Sequence, residues 1–138
     1  MKARIKRIEG LTFAAKGDTG HWHIADTSSR NGGNEGAATP MEMVLFSLAT
    51  CTGMDVLSIL KKMRVDLKDF EILVDAERAE EHPKVYTDIH LTYRFFGDAV
   101  EKEKAEKAVE LSQERYCSVS AMLRHSVNIT SSVEIHSA

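Results

Sequence analysis

Two cysteines, Cys51 and Cys117, are the residues of this sequence best suited to covalent chemistry. The reactive form of a cysteine is its thiolate, so what matters is which surroundings favour ionisation. Cys51 stands in the apolar run Ser47-Leu48-Ala49-Thr50-Cys51-Thr52-Gly53-Met54-Asp55. Burial alone raises a thiol's pKa and leaves it inert, so an active Cys51 needs a cation nearby. Cys117 precedes Ser118 at an expected helix start, where backbone N–H groups and the helix dipole favour an anion. Such a thiol suits resolving a sulfenic acid or leaving from a disulfide. Each cysteine taken alone also reads as a small apolar packing residue. Two cysteines are too few for a four-cysteine zinc site, and in a reducing compartment they are seldom a permanent disulfide.

Other polar residues have simpler readings. Thr39-Pro40-Met41-Glu42 is a capping box, with Pro40 where its missing N–H costs nothing. Glu42 and Cys51 are nine positions apart, so on one helix they face opposite sides, about 13.5 Å apart along the axis. If both serve one site, one of them comes from a second subunit. Asp55, one turn beyond Cys51, needs a partner; of its two readings, tuning the thiol and satisfying local structure, the second is the more ordinary. His21 and His23 share one face of a strand but have no third ligand in reach, so no metal site is expected. Tyr116 and Met54 are candidates to line an apolar pocket, though core packing is the more common fate of such residues.

The elements that position these residues follow from periodicity and punctuation. Short strands are expected over Lys2 to Ile8, Leu11 to Ala15 and His21 to Asp26, then a glycine-rich loop from Thr27 to Ala38. The capping box opens a helix running to about Lys62. Its positions are apolar nearly all round, as in a helix surrounded by protein. Phe70, Ile72, Val74 and Ala76 alternate with charged residues, as do Val85, Thr87, Ile89, Leu91, Tyr93 and Phe95, which predicts an antiparallel hairpin. Asp98 with Glu101 predicts a helix from there to about Arg115. Ser118 is expected to cap a short helix through Arg124, and Val127 to Ile135 reads as a last strand. The order is that of an α+β protein, a single domain over residues 1–138. A domain this small struggles to surround a helix of six turns, whereas a dimer packing two such helices together buries both.

Composition narrows the function. Lys and Arg number 18 against 21 Asp and Glu, and the basic residues are scattered, which argues against nucleic-acid binding. The basic start Met1 to Ile8 has no apolar stretch and cleavage site behind it. Met41 to Leu60 carries Glu42 and Asp55, which argues against a simple membrane span. The expectation is a soluble, cytoplasmic chain.

The segment Ala38-Thr39-Pro40-Met41-Glu42-Met43-Val44-Leu45-Phe46-Ser47-Leu48-Ala49-Thr50-Cys51 resembles the central-helix signature of the OsmC/Ohr family. Leu111-Ser112-Gln113-Glu114-Arg115-Tyr116-Cys117-Ser118-Val119-Ser120 resembles that family's second-cysteine motif, and the element order agrees along the whole chain. The likeness is greatest to the OsmC-like branch. The resemblance implies antiparallel sheets wrapped around a long buried central helix in an intertwined homodimer, with a site at each subunit interface. It implies a thiol peroxidase acting on organic hydroperoxides or hydrogen peroxide in oxidative stress defence. Cys51 is then the peroxidatic residue and Cys117 the resolving one. Glu42 and Arg30, the latter in the glycine-rich loop, would position the peroxide and stabilise the thiolate. No metal, flavin or haem is implied; an external dithiol, lipoyl-type in family members, restores the thiols. The other function left open is a binding protein without turnover, whose interface pocket holds an apolar or electrophilic small molecule.

Overall fold

A computed structural model describes residues 1–138, which form two compact units, Met1–Phe46 and Ser47–Ala138.

The first unit is an antiparallel meander of β1 (Ala3–Glu9), β2 (Thr12–Gly17) and β3 (Trp22–Ala25). The β1–β2 turn carries an irregularity between Arg7 and Glu9 and uses Gly10 at φ 52°, a conformation that costs glycine little. After β3 the chain folds around Asp26, the one buried residue of this unit. Its carboxylate accepts backbone N–H bonds from Thr27 at 2.8 Å, Asn34 at 3.3 Å and Gly36 at 3.0 Å. Gly33 packs so tightly here that a Cβ would stand 2.1 Å from the Thr27 carbonyl oxygen. A 3-10 turn, Ser29–Asn31, ends in Gly32 at φ 83° inside the segment expected to be loop.

Helix α1 (Pro40–Lys62) begins where the capping box predicts. Glu42 accepts from the Thr39 backbone N–H at 2.7 Å and from its hydroxyl at 2.8 Å, while the Glu42 N–H donates to that hydroxyl at 3.2 Å. The expectation of a helix covered all round fails within one chain. Only Leu48, Thr52, Gly53, Val56 and Leu60 are buried, a stripe at helical spacing, while Met54 is 71% exposed and Leu57 also faces outward.

In the second unit that stripe rests on β4 (Asp69–Arg78), β5 (Tyr86–Phe96) and β6 (Asn128–His136), with β5 in the centre. The approach is close: a Cβ on Gly53 would lie 3.2 Å from Ile72 Cδ1 and 3.5 Å from the Phe70 ring. Strand β5 buries Tyr86, Ile89, Leu91, Tyr93 and Phe95, and the Phe70 and Phe95 rings stand 5.0 Å apart. On the opposite face Arg94 bridges Glu71 and Glu134, and His90 bonds Thr130 and Ser132.

The structure corrects three expectations. The second sheet is mixed: β4–β5 is antiparallel, but β5–β6 is parallel, in register from Asp88↔Asn128 to Phe96↔His136. Between β5 and β6 the chain passes through helices α2 (Lys102–Leu111) and α3 (Ser118–Leu123), a crossover long enough to return it to the starting end of β5. Asp98 does not cap α2. Residues 97–100 form a turn closed by Val100 N–H to the Gly97 carbonyl at 3.2 Å, and the helix starts after Glu101. It also ends sooner, in a π turn over Ser112–Tyr116.

Candidate functional site

Three elements of the second unit build the site: α1, β5 and the π turn that follows α2. Helical spacing sets Cys51 and Asp55 one turn apart on the same side of α1. The π turn sets Cys117. Its backbone N–H donates to the Ser112 carbonyl at 2.7 Å, one residue wider than an α-helical bond. The wider winding buries both Ser112 and Cys117 and leaves Arg115 and Tyr116 outside. Single wide turns of this kind often occur at functional sites. No glycine or proline marks the turn in the sequence, which is why a plain helix to Arg115 was expected.

The two sulfurs and an Asp55 carboxylate oxygen all lie within 4.8 Å of one another. Both cysteines are free thiols; Cys51 is half-buried and Cys117 is 2% exposed. A disulfide needs about 2.05 Å between the sulfurs, so a side-chain rotation separates this geometry from the bonded one. The α3 cap is Cys117 itself, not Ser118: its Sγ accepts the Ser120 N–H at 3.3 Å. Burial pushes the Cys117 thiol up; its hydrogen bonds from Ser120 oppose the rise and the adjoining Cys51 adds to it.

Behind the sulfurs runs a buried polar chain. Thr52 Oγ1 bonds the Tyr93 hydroxyl at 2.9 Å and the Ser112 hydroxyl at 2.8 Å. Ser112 bonds Asp55 at 3.1 Å, and Gln113 Nε2 donates to Tyr93 at 3.1 Å. The donor inventory fixes the direction of each link. A carboxylate only accepts, so the Ser112 proton goes to Asp55. Ser112 then receives from Thr52, and Thr52 from Tyr93. The protons therefore point one way, from Gln113 through Tyr93, Thr52 and Ser112 to Asp55. Burial raises the Tyr93 pKa, its bonds to Thr52 and Gln113 offset part of that, and Cys117 and Asp55 add to it, so the phenol keeps the proton this chain requires. Asp55 also lines a cleft of about 380 Å³ with Ser58, Ile59, Lys62, Met63, Leu111 and Tyr116.

Of the residues expected to act, the structure brings Cys51 and Cys117 together. Glu42 is exposed and bound to Thr39, whose N–H and hydroxyl hold its carboxyl below the ordinary value. Arg30 is an exposed residue of the 3-10 turn. His21 and His23 are both exposed. Asp55 has found its partner in Ser112, and Tyr116 lines the cleft. Sequence reasoning gave Ser112 no role of its own and missed its bonding. The available signal was Thr52 and Ser112 themselves, hydroxyl residues at positions that packing alone would fill with apolar side chains.

Residues 32–132 match the family described as OsmC-like protein. Protein YhfA of Escherichia coli K12 is 43% identical over 138 residues, all of this chain and all of that protein. The crystal structure of a hypothetical protein from Aquifex aeolicus VF5 superposes with a TM-score of 0.87 at 36% identity, covering 99% of this chain and 96% of the other. The organic hydroperoxide resistance protein OsmC from Legionella pneumophila gives a TM-score of 0.72 over 97% of each chain. At 18% identity that last likeness is one of fold.

Proposed function

The chain belongs to the OsmC-like protein family, and from that membership and the paired sulfurs we propose that it is a cytoplasmic thiol peroxidase of oxidative stress defence. The observation that carries the reading is the approach of Cys51 and Cys117, 66 positions apart in sequence, to within 4.8 Å of each other. The Cys51 thiolate attacks one oxygen of an organic hydroperoxide or hydrogen peroxide, breaking the O–O bond. It becomes a sulfenic acid, and alcohol or water leaves with a proton. The Cys117 thiol condenses with the sulfenic acid to a disulfide and releases water. A dithiol, lipoyl-type or similar, reduces the disulfide by two exchange steps and leaves as its own disulfide. The half-exposed Cys51 suits the first role and the buried Cys117 the second.

The working form we propose is a homodimer. What supports it is the apolar surface that one chain leaves uncovered, including Phe46, Met54 and Leu57 on α1. Glu42 and Arg30 act in the proposal as the groups that position peroxide and hold the thiolate, one or both supplied across the interface. The test is peroxide consumption with a dithiol. Wild type turns over, Cys51→Ser falls to background, and Cys117→Ser slows, because the dithiol must then condense with the Cys51 sulfenic acid directly. Equal rates in wild type and Cys51→Ser end the proposal.

A second reading, a small-molecule binding protein without turnover, is favoured by the cleft beside Asp55 with Ile59, Met63 and Leu111 in its wall. Mass measurement after mild peroxide discriminates. Loss of two hydrogens per chain, abolished in Cys117→Ser, speaks for the redox pair. A copurified ligand in the native mass, with no such loss, speaks for binding.

A further inference from the structure

We propose that reduced Cys51 and Cys117, together with Asp55, form a three-ligand site for a thiophilic divalent cation, zinc above all. The proposal needs only the two free thiols and not peroxide turnover. Two sulfurs and a carboxylate oxygen already lie within 4.8 Å of one another. A tetrahedral zinc with Zn–S bonds of about 2.3 Å and a Zn–O bond of about 2.1 Å sets its ligand atoms roughly 3.5–3.8 Å apart. Side-chain rotations on the order of 1 Å per ligand atom close that gap.

The surroundings fit the same reading. The Ser112 hydroxyl at 3.1 Å orients the Asp55 carboxylate, and Thr52 and Tyr93 hold Ser112 in turn. Supported carboxylates of this kind are what metal ligands have behind them. Asp55 lines a cleft with Lys62 and Tyr116, so the site is open on its carboxylate side; a tetrahedral ion with three protein ligands takes water as its fourth. A divalent ion between the three groups favours all three anions. Binding therefore releases a proton from each thiol. A disulfide uses the same lone pairs and removes two ligands, so metal and oxidation exclude each other.

The experiment uses full-length protein, reduced and freed of reductant under nitrogen. It is titrated with Zn²⁺ against a coloured chelator and, separately, with Co²⁺ followed by absorption. One ion per chain is expected, with a thiolate-to-cobalt charge-transfer band, and none in protein first oxidised with diamide. Asp55→Asn keeps both sulfurs and the band but binds at least about tenfold more weakly. Ser112→Ala, which leaves all three ligands, weakens binding less and serves if Asp55→Asn does not fold. Reduced wild type that binds no stoichiometric metal overturns the proposal. So does cobalt bound without the band, or Asp55→Asn binding as tightly as wild type. A peroxide assay on metal-free protein separates this outcome from the peroxidase reading, because either can fail while the other stands.

Discussion

Strand β5 of the second sheet buries five of its side chains, Tyr86, Ile89, Leu91, Tyr93 and Phe95. In β1, β2 and β3 no residue is buried, and Ile5, Phe13, Trp22 and Ile24 all stand more than a third exposed. Both are three-stranded sheets. The first carries apolar side chains on both faces. Ile5 and Phe13 share one, and Trp22 and Ile24 the other, with the Lys16 ammonium 4.8 Å above the Trp22 ring. Three strands need a covered hydrophobic face to offset the entropy of ordering them. The second sheet has that cover from α1. The first is held by the Asp26 hub and its own hydrogen bonds, and its apolar faces are surface that the proposed second copy would bury.

That contrast can be broken by mutation. The largest effect is expected in the second unit. Phe95→Ala, at a fully buried position, costs about 3–5 kcal/mol in urea unfolding followed by circular dichroism. A loss below about 1 kcal/mol would mean that β5 is not the core. Next come Ile5→Glu and Ile24→Glu, one on each face of the first sheet. At least one is expected to weaken a dimer by about 2 kcal/mol or more in sedimentation at matched concentrations. If both sediment as wild type does, the first sheet is no interface. Thr39→Ala removes the capping box and is expected to cost about 1 kcal/mol. The smallest effect is in acid. Backbone N–H bonds from Thr27, Gly36 and Asn34 hold the Asp26 carboxyl below its ordinary value, so the stability it adds is complete above the usual carboxylate range. That stability is lost as pH falls through the lower folded value. Asp26→Asn should therefore flatten the fall in stability below about pH 4. An unchanged slope would remove Asp26 as the hub of its loop.

What could be read beforehand divides along the same physical line. The Thr39–Glu42 box and the alternation of β4 and β5 depend on residues close in sequence, and their elements formed as expected. The pairing of Cys51 with Cys117 was legible through two motifs. The parallel partnership of β5 with β6 was not, since nothing local distinguishes a strand that will run parallel from one that will run antiparallel. Nor was the π turn, which differs from an α-helix by one residue and has no breaker to announce it. Asp55 could be flagged as needing a partner. That its partner is Ser112, 57 positions away, and that both sulfurs lie beside its carboxylate, follow only once α1 and the end of α2 are packed.

The sulfur of Cys117 holds the Ser120 amide at the head of α3. A sulfur drawn into a bond with Cys51 turns away from that amide and is a weaker acceptor. The first turn of α3 then works as an indicator of oxidation. Proton exchange at the Ser120 amide should quicken when the pair is oxidised and slow again on reduction, so the redox state of the chain can be followed by magnetic resonance without touching either cysteine.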